Sequence, residues 1–335
     1  EIYTLSLHDA LPILVDAIAL VREGRLLGLE GMKEAPHNRG SLCARAHAAP
    51  EWLYSPQRLK SPLVRQGKRR GAPWVPISWG EALDLLAERL LDEKKRYGAE
   101  SLAVLSPARR SYCGYMMRLL MAHGSPNYGH SGICYVQRSM PFTYTLGGHR
   151  PPAADYAQAD LMLLWGRSPT CASAPMGGLR ALTEARRRGM RVVVIKPTQG
   201  GEGRFSDEWL ALRPGTDAAL ALSMLHVVIG EELYDRDFVR DWCFGFEELA
   251  EHVQQYTPQW AEGITGVPAG RIREVARRYA STPRAAIDLG NGIEHAPGCS
   301  DAARAIAMLI ALTGHLERRQ PRSEERRVGK SVDLG

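Results

Sequence analysis

The residues of this chain whose types and spacing suit chemistry are a cysteine, an Arg–Asp segment and a set of hydroxyls, all in loop-like stretches. Cys134 closes the run His123-Gly-Ser-Pro-Asn-Tyr-Gly-His-Ser-Gly-Ile-Cys134, whose Gly, Ser and His content suits a polar loop and makes poor core. A thiolate in such surroundings can bind a metal; the competing reading is a buried free cysteine. Trp165-Gly-Arg-Ser-Pro169 follows an apolar run, and Arg213-Pro-Gly-Thr-Asp217 opens a long helical pattern.

In an open parallel sheet, ligands bind beyond the carboxyl ends of the strands, where helix amino termini face them. Four loops meet that condition: Gly166-Arg-Ser-Pro169, Lys196-Pro-Thr198, Pro214-Gly-Thr-Asp217 and Gly290-Asn-Gly292. Gly166 and Gly215 let backbone approach a phosphate or base, and the hydroxyls of Ser168, Thr198 and Thr216 can donate to anionic oxygens. Asp217 accepts instead, for example from the N1 and N2 hydrogens of guanine. On spacing alone, Thr216 or Asp217 serves equally as the cap of the following helix.

The elements that must hold these loops follow from periodicity. Ala17 to Val21 and Leu26 to Glu30, joined by Arg22-Glu-Gly-Arg25, predict a hairpin, and the stretch to Gly40 a loop. Ser78-Trp-Gly-Glu81 has the form of a capping box before the amphipathic run Ala82 to Lys95. From Ser101 the pattern alternates: strand Leu102 to Leu105, helix Tyr112 to Ala122, strand Leu161 to Trp165, helix Pro175 to Arg188, strand Val192 to Ile195. That order predicts an α/β fold with a Rossmann-like parallel sheet. Helices over Ala218 to Ile229, Tyr234 to Trp242 and from Pro268 to Tyr279 precede a strand over Arg284 to Leu289.

Composition narrows the function classes. The 335 residues are 44% hydrophobic, enough for a sizeable core, and no apolar run reaches the length of a membrane span. The net charge of +6 is scattered rather than clustered, which suits a buried diphosphate or oxyanion as well as nucleic acid; nucleic-acid binding is not the reading taken. The six cysteines show no CxxC spacing and predict no disulfide framework. A Walker A loop, an H-E-x-x-H helix and a Ser-His-Asp arrangement are all missing, which disfavours kinase, zinc-protease and hydrolase readings.

Together, these segments resemble the molybdopterin guanine dinucleotide oxidoreductases of the dimethyl sulfoxide reductase family. Further similarity lies at Leu53-Tyr-Ser-Pro-Gln-Arg-Leu59, Ile77-Ser-Trp-Gly-Glu-Ala82, Tyr256-Thr-Pro258, Ile264-Thr-Gly266 and Leu312-Thr-Gly314. The resemblance implies that Trp165, Gly166, Ser168 and Pro169, then Lys196 and Thr198, then Arg213, Gly215, Thr216 and Asp217, and finally Gly290 and Gly292 line the cofactor's dinucleotide, with Asp217 on guanine. Ser168 stands where the family usually has Asn, and Lys196-Pro-Thr198 where it usually has Asp-Pro-Arg, so the acidic ribose contact is altered.

The same resemblance implies that Cys134 is the catalytic thiolate on molybdenum or tungsten; His130, four residues earlier, has a spacing that suits a supporting role behind it, the alternative being a loop hydrogen-bonder. Pro36-His-Asn-Arg-Gly-Ser-Leu-Cys43 is similar to the segment carrying the fourth ligand of an iron-sulfur cluster, and Arg45 stands where relatives carry a Lys between cluster and pterin. The three partner cysteines that would precede Cys43 are missing, so a 4Fe-4S cluster belongs to the intact parent only. Residues 1–13 and 322–335 resemble translated adapter read-through and are set aside. The expected division is then a small β-rich iron-sulfur domain remnant over 14–62, a partial second α/β domain over 63–150 with 284–321, and a dinucleotide-binding domain over 151–283.

By resemblance, the activity is two-electron or oxygen-atom transfer to a small molecule. Tyr135 follows Cys134 where formate dehydrogenases of the family commonly have His, so the expected reaction is reduction of a sulfur or arsenic oxyanion or of polysulfide. The alternatives are a formate dehydrogenase, an electron-transfer scaffold related to the large subunit of respiratory complex I, and a nucleotide-binding α/β protein of other function. An iron-sulfur subunit and a membrane-anchor subunit are the implied partners. The compartment stays open between the periplasmic and cytoplasmic sides of the membrane.

Overall fold

A computed structural model of the chain describes residues 2–5, 17–35, 39–42, 44–67, 71–106, 112–130, 135–147, 153–170 and 178–316. It divides into two compact units, residues 1–132 with 171–178 and residues 133–170 with 179–335.

In the first unit, β1 (Ile2–Leu5), β2 (Ala17–Arg22) and β3 (Arg25–Gly31) form an antiparallel sheet. The expected hairpin is present. Glu23 and Gly24 both take positive φ, +50° and +72°, the two-residue turn whose twist matches its strands. β1 lies inside the segment set aside on sequence: Ile-Tyr-Thr-Leu is rich in strand-forming residues and pairs with Ala17 to Leu20.

The short helices α1 (Ala44–His47) and α2 (Ala49–Leu53) lie against β3. The pair β4 (Leu63–Arg65) and β5 (Trp74–Pro76) follows, then α3 (Trp79–Tyr97). Its capping box forms as expected: Ser78 Oγ accepts from Glu81 N at 3.2 Å, and Ser78 N donates to Glu81 Oε2 at 2.8 Å. β6 (Val104–Ser106), α4 (Cys113–His123) and β7 (Tyr128–His130) close the unit, β7 pairing parallel to β6 inside the stretch expected to be all loop.

The second unit opens with α5 (Val136–Leu146), which sequence did not predict because Pro141 interrupts its pattern. β8 (Leu161–Trp165), α6 (Gly178–Arg187), β9 (Arg191–Ile195) and β10 (Glu208–Leu210) come next. The helices α7 (Asp217–Gly230), α8 (Arg236–Trp242), α9 (Phe246–His252), α10 (Pro258–Thr265) and α11 (Ala269–Ser281) precede β11 (Ala285–Leu289) and α12 (Cys299–Leu312). The four strands run parallel in the order β10-β9-β8-β11.

The sheet is covered on both sides, which explains the unbroken apolar run of β8. Leu161, Leu163, Trp165, Val193 and Ile195 pack with residues of α7, α10, α11 and α12, whereas Met162, Leu164, Val192 and Val194 pack with Leu182 and Ala185 of α6. Each such side chain contributes about 1.5–3 kcal/mol on burial.

One grouping differs from the sequence reading. β11, grouped there with a second domain, pairs in register with β8, Ala285 opposite Leu161 through Leu289 opposite Trp165. α5 and α12, from the same expected domain, lie in this unit too and pack together. Strand pairing across more than a hundred residues leaves no local pattern for a sequence to display.

Candidate functional site

Read in chain order, the sheet places its third, second, first and fourth strands side by side, so the connections reverse between β8 and β11. Such a reversal opens a crevice at the carboxyl ends of the two strands. Gly166 and Gly290 follow those ends directly. Gly166 N donates to Ile195 O at 2.9 Å, Gly290 N to Trp165 O at 2.9 Å and Gly292 N to Gly166 O at 3.2 Å. A Cβ on Gly290 would lie 2.0 Å from Gly166 O and 2.5 Å from Arg167 Cα, so only glycine permits the two backbones to meet here.

Trp165 and Asp217 join β8 to α7. The indole Nε1 donates to Asp217 Oδ1 at 2.8 Å. Burial pushes the Asp217 carboxyl above the usual range, opposed by the Trp165 hydrogen bond and by the residue's own N–H. Trp165 itself is fully buried, since strand alternation turns it into the helix-packed core, and it offers the crevice no surface.

Thr216 is the residue before α7 but makes no side-chain cap bond; its hydroxyl donates to Arg213 O at 2.7 Å. Arg213 donates through Nη1 to Gly263 O at 3.0 Å and Ile264 O at 3.1 Å, tying the last turn of α10 to the loop. Gly215 is exposed at φ +79°. With Asp217, it lines a shallow cleft opposite Ile293, Ala296, Pro297 and Cys299.

At the end of β9, Lys196 is buried and ion-paired with Glu202, and its Nζ also donates to Ser168 Oγ at 2.9 Å. Thr170 donates to Glu202 Oε1 through its N–H at 3.1 Å and through its hydroxyl. Burial alone would raise the Glu202 carboxyl; the Lys196 and Thr170 hydrogen bonds hold it below the usual range instead. Pro169 is buried and Thr198 exposed. Sequence reasoning missed Glu202 and Thr170, although an acid within the glycine run Gly200 to Gly203, six residues after Lys196, was the available signal. It also missed Asp288 of β11, which accepts from Tyr156 Oη at 2.5 Å and from Arg167 Nε at 3.0 Å.

A third missed acid, Glu294, is fully buried in its side chain. Its Oε2 accepts from Tyr135 N at 2.5 Å, and its Oε1 lies 3.0 Å from Arg138 Nε in an ion pair. Arg138 Nη1 donates to Leu289 O at 2.6 Å, at the end of β11.

Cys134 and Cys43 lie outside the described residues, as does the side chain of His130, whose backbone ends β7. Arg45 is exposed on α1. Among the described residues no three His, Cys, Asp or Glu side chains gather as a metal cage, and no helix is long and apolar enough to cross a membrane.

Comparison with known proteins places this geometry in a family. The family model described as molybdopterin oxidoreductase matches residues 58–329. The probable oxidoreductase YoaE of Bacillus subtilis is 33% identical over 303 residues, covering 88% of this chain and 43% of that protein. The thiosulfate reductase molybdopterin-containing subunit PhsA of Salmonella typhimurium is 32% identical over 302 residues, 90% of this chain and 39% of that protein. The solved structure of acetylene hydratase from Pelobacter acetylenicus superposes with a TM-score of 0.75 at 31% identity, covering 90% of this chain and 42% of that one. The chain thus spans 39–43% of the length of these relatives. With its parallel sheet, its crevice at the β8–β11 reversal and a family match over most of its length, the chain belongs to the molybdopterin oxidoreductase family.

Proposed function

We propose that this chain is part of a molybdenum or tungsten bis-pterin oxidoreductase, and that the carboxyl edge of its parallel sheet receives the guanine dinucleotide form of the cofactor. The observation that carries the reading is the close backbone approach of Gly166 to Gly290 and Gly292 at the strand reversal. The residues fit a diphosphate-linked base. Gly166, Gly215 and Gly292 offer approachable backbone, and Ser168 and Thr198 offer hydroxyls. The Asp217 carboxylate keeps lone pairs for a guanine donor after accepting from Trp165. Lys196 puts a cation where relatives have an acid, with Glu202 balancing it.

In this reading Cys134 supplies the thiolate to the metal, and a soft sulfur donor suits such a centre. When bound, the metal–pterin group supplies the two-electron or oxygen-atom transfer; the protein holds it, orients the substrate and excludes water. Cys43 takes the fourth position of a 4Fe-4S cluster in the intact parent, Arg45 carries positive charge between cluster and pterin, and His130 stands behind Cys134. The small β-rich region around the hairpin is the cluster domain's remnant. The substrate class is a sulfur or arsenic oxyanion or polysulfide. Tyr135 after Cys134 and the similarity to a protein named thiosulfate reductase support that choice over formate. An iron-sulfur subunit and a membrane-anchor subunit complete the electron path.

The test is analysis of the chain produced in a host that makes the cofactor. Bound molybdenum or tungsten together with releasable guanine nucleotide is the expected result, with nucleotide lost in Asp217→Ala. Guanine nucleotide without metal points to a nucleotide-binding protein of other function, and neither to an electron-transfer scaffold.

A further inference from the structure

We infer that the corner between α8 and α9 is a docking surface for a second copy of this chain, which meets it through an arginine-bearing face built on β3 and α2. The inference is independent of the cofactor reading. α8 ends at Trp242 and α9 begins at Phe246, so the corner is the short turn between them. Cys243 packs toward the core with Phe246 and Leu249, whereas Trp242 is 78% exposed and Phe244 fully so. The turn is held in place: Cys243 N donates to Val239 O at 3.1 Å, Leu249 N donates to Gly245 O at 3.2 Å, and Gly245 takes φ +76°. Two large rings are therefore presented from fixed backbone, and aromatic residues of this kind anchor protein interfaces.

The charge around these rings selects the occupant. Residues 231 to 262 hold nine carboxylates against two arginines, a net of −7 in a chain whose net is +6. Both arginines are already paired, Arg236 with Glu232 and Arg240 with Asp237 and Asp241. Glu247 and Glu248, exposed in the first turn of α9, belong to no ion pair among the described residues. The matching surface exists on the chain itself. Described residues between 17 and 76 carry eight Arg or Lys against four Glu. There Arg25 lies 4.4 Å over the Tyr54 ring and Arg58 5.2 Å over the Trp52 ring, and all four side chains are exposed. A guanidinium stacked on one ring keeps its second face for another ring and its N–H edge for a carboxylate. Trp242 and Phe244 supply the ring, and Glu247 and Glu248 the carboxylates. Stacking also orders each arginine beforehand, which lowers the entropic cost of docking. Because the two surfaces differ, the contact is heterologous; corner against corner would set like charges together.

The experiment is sedimentation velocity on the full chain, nuclease-treated, with circular dichroism on every sample. In about 0.1 M salt, where the Debye length is about 10 Å, wild type should gain mass above the monomer as its concentration rises; in about 1 M salt, where that length is about 3 Å, it should return to monomer. Glu247→Lys with Glu248→Lys, and separately Arg25→Glu with Arg58→Glu, should each sediment as monomer. Mixed in equal amounts, the two variants should form a 1:1 dimer and nothing larger, since one keeps the arginine face and the other keeps the corner. Trp242→Ala alone should weaken wild-type association by about thirtyfold, the size of an interface hot spot.

Should the charge reversal on α9 not fold, Trp242→Ala with Phe244→Ala takes its place; both side chains are exposed, and the same mixing result is required of it. Wild type that stays monomeric at every concentration overturns the proposal. So does a mixture of two folded variants that remains monomeric, or an Arg25→Glu, Arg58→Glu variant that associates like wild type. Association that disappears on nuclease treatment gives the arginine face to nucleic acid and overturns it as well, and association unchanged in high salt removes the charge complementarity on which the choice of occupant rests.

Discussion

The indole of Trp165 and the carboxylate of Asp217 share a hydrogen bond of 2.8 Å that ties the last residue of β8 to the first turn of α7. Two residues from separate motifs are thereby one structural unit. Trp165→Phe removes the donor and leaves a buried carboxylate short of a partner, at a cost of about 1.5–3 kcal/mol. Urea unfolding measures that loss.

Asp217 also predicts a pH dependence. Burial raises its carboxyl in the fold, so its stabilising contribution is complete below the ordinary Asp value of about 3.9 and is withdrawn as pH rises through the higher folded value. Thermal melts of wild type and Asp217→Asn across that range should show wild type losing stability relative to the variant as pH increases. Parallel curves would contradict this.

The Lys196–Glu202 pair behaves in the opposite sense. Its carboxyl is held below the ordinary Glu value of about 4.3, so the stability it confers is present above that value and lost as pH falls through the folded one. Lys196→Met strands Glu202 in the interior, where it is fully buried, at about 3–5 kcal/mol. Adding Glu202→Leu should recover much of that loss in the double mutant, as read by chemical denaturation.

Gly290→Ala probes the crevice. The new methyl would meet Gly166 O at 2.0 Å, and since that atom is backbone no side-chain rotation relieves it. We expect a loss of about 3 kcal/mol and separation of β8 from β11. Gly215→Ala should be milder, at about 1–2 kcal/mol, because its methyl meets only Ala296 Cβ at 3.5 Å and the strain is that of φ +79°. Denaturation midpoints of the two variants, compared side by side, check the ranking.

Sequence displayed the parts of this molecule whose signals are local. β8 announced itself as five buried apolar residues, the Ser78 capping box as two hydroxyl–carboxylate positions, and the hairpin as a glycine turn between apolar runs. Three-residue strands such as β7 and β10 are too short to carry a period, and Pro141 disguised α5. The site divided in the same way. Gly166, Gly290 and Asp217 were visible because glycine and a helix-start acid are informative alone. Asp288 and Glu294 were not, because an acid becomes significant only beside the Tyr156, Arg167, Arg138 or Tyr135 it serves, and those partners are brought near by the fold; Glu202 lies only six residues from Lys196, and its signal was the acid inside a glycine run.

The central claim is that a thiolate from residue 134 reaches a metal held beside the β8–β11 crevice. Molybdenum or tungsten X-ray absorption on the loaded chain tests it most directly, comparing wild type with Cys134→Ser at equal metal and pterin content. The account predicts one protein sulfur in the wild-type coordination sphere, replaced by oxygen in the variant. Identical spectra from the two proteins would contradict it.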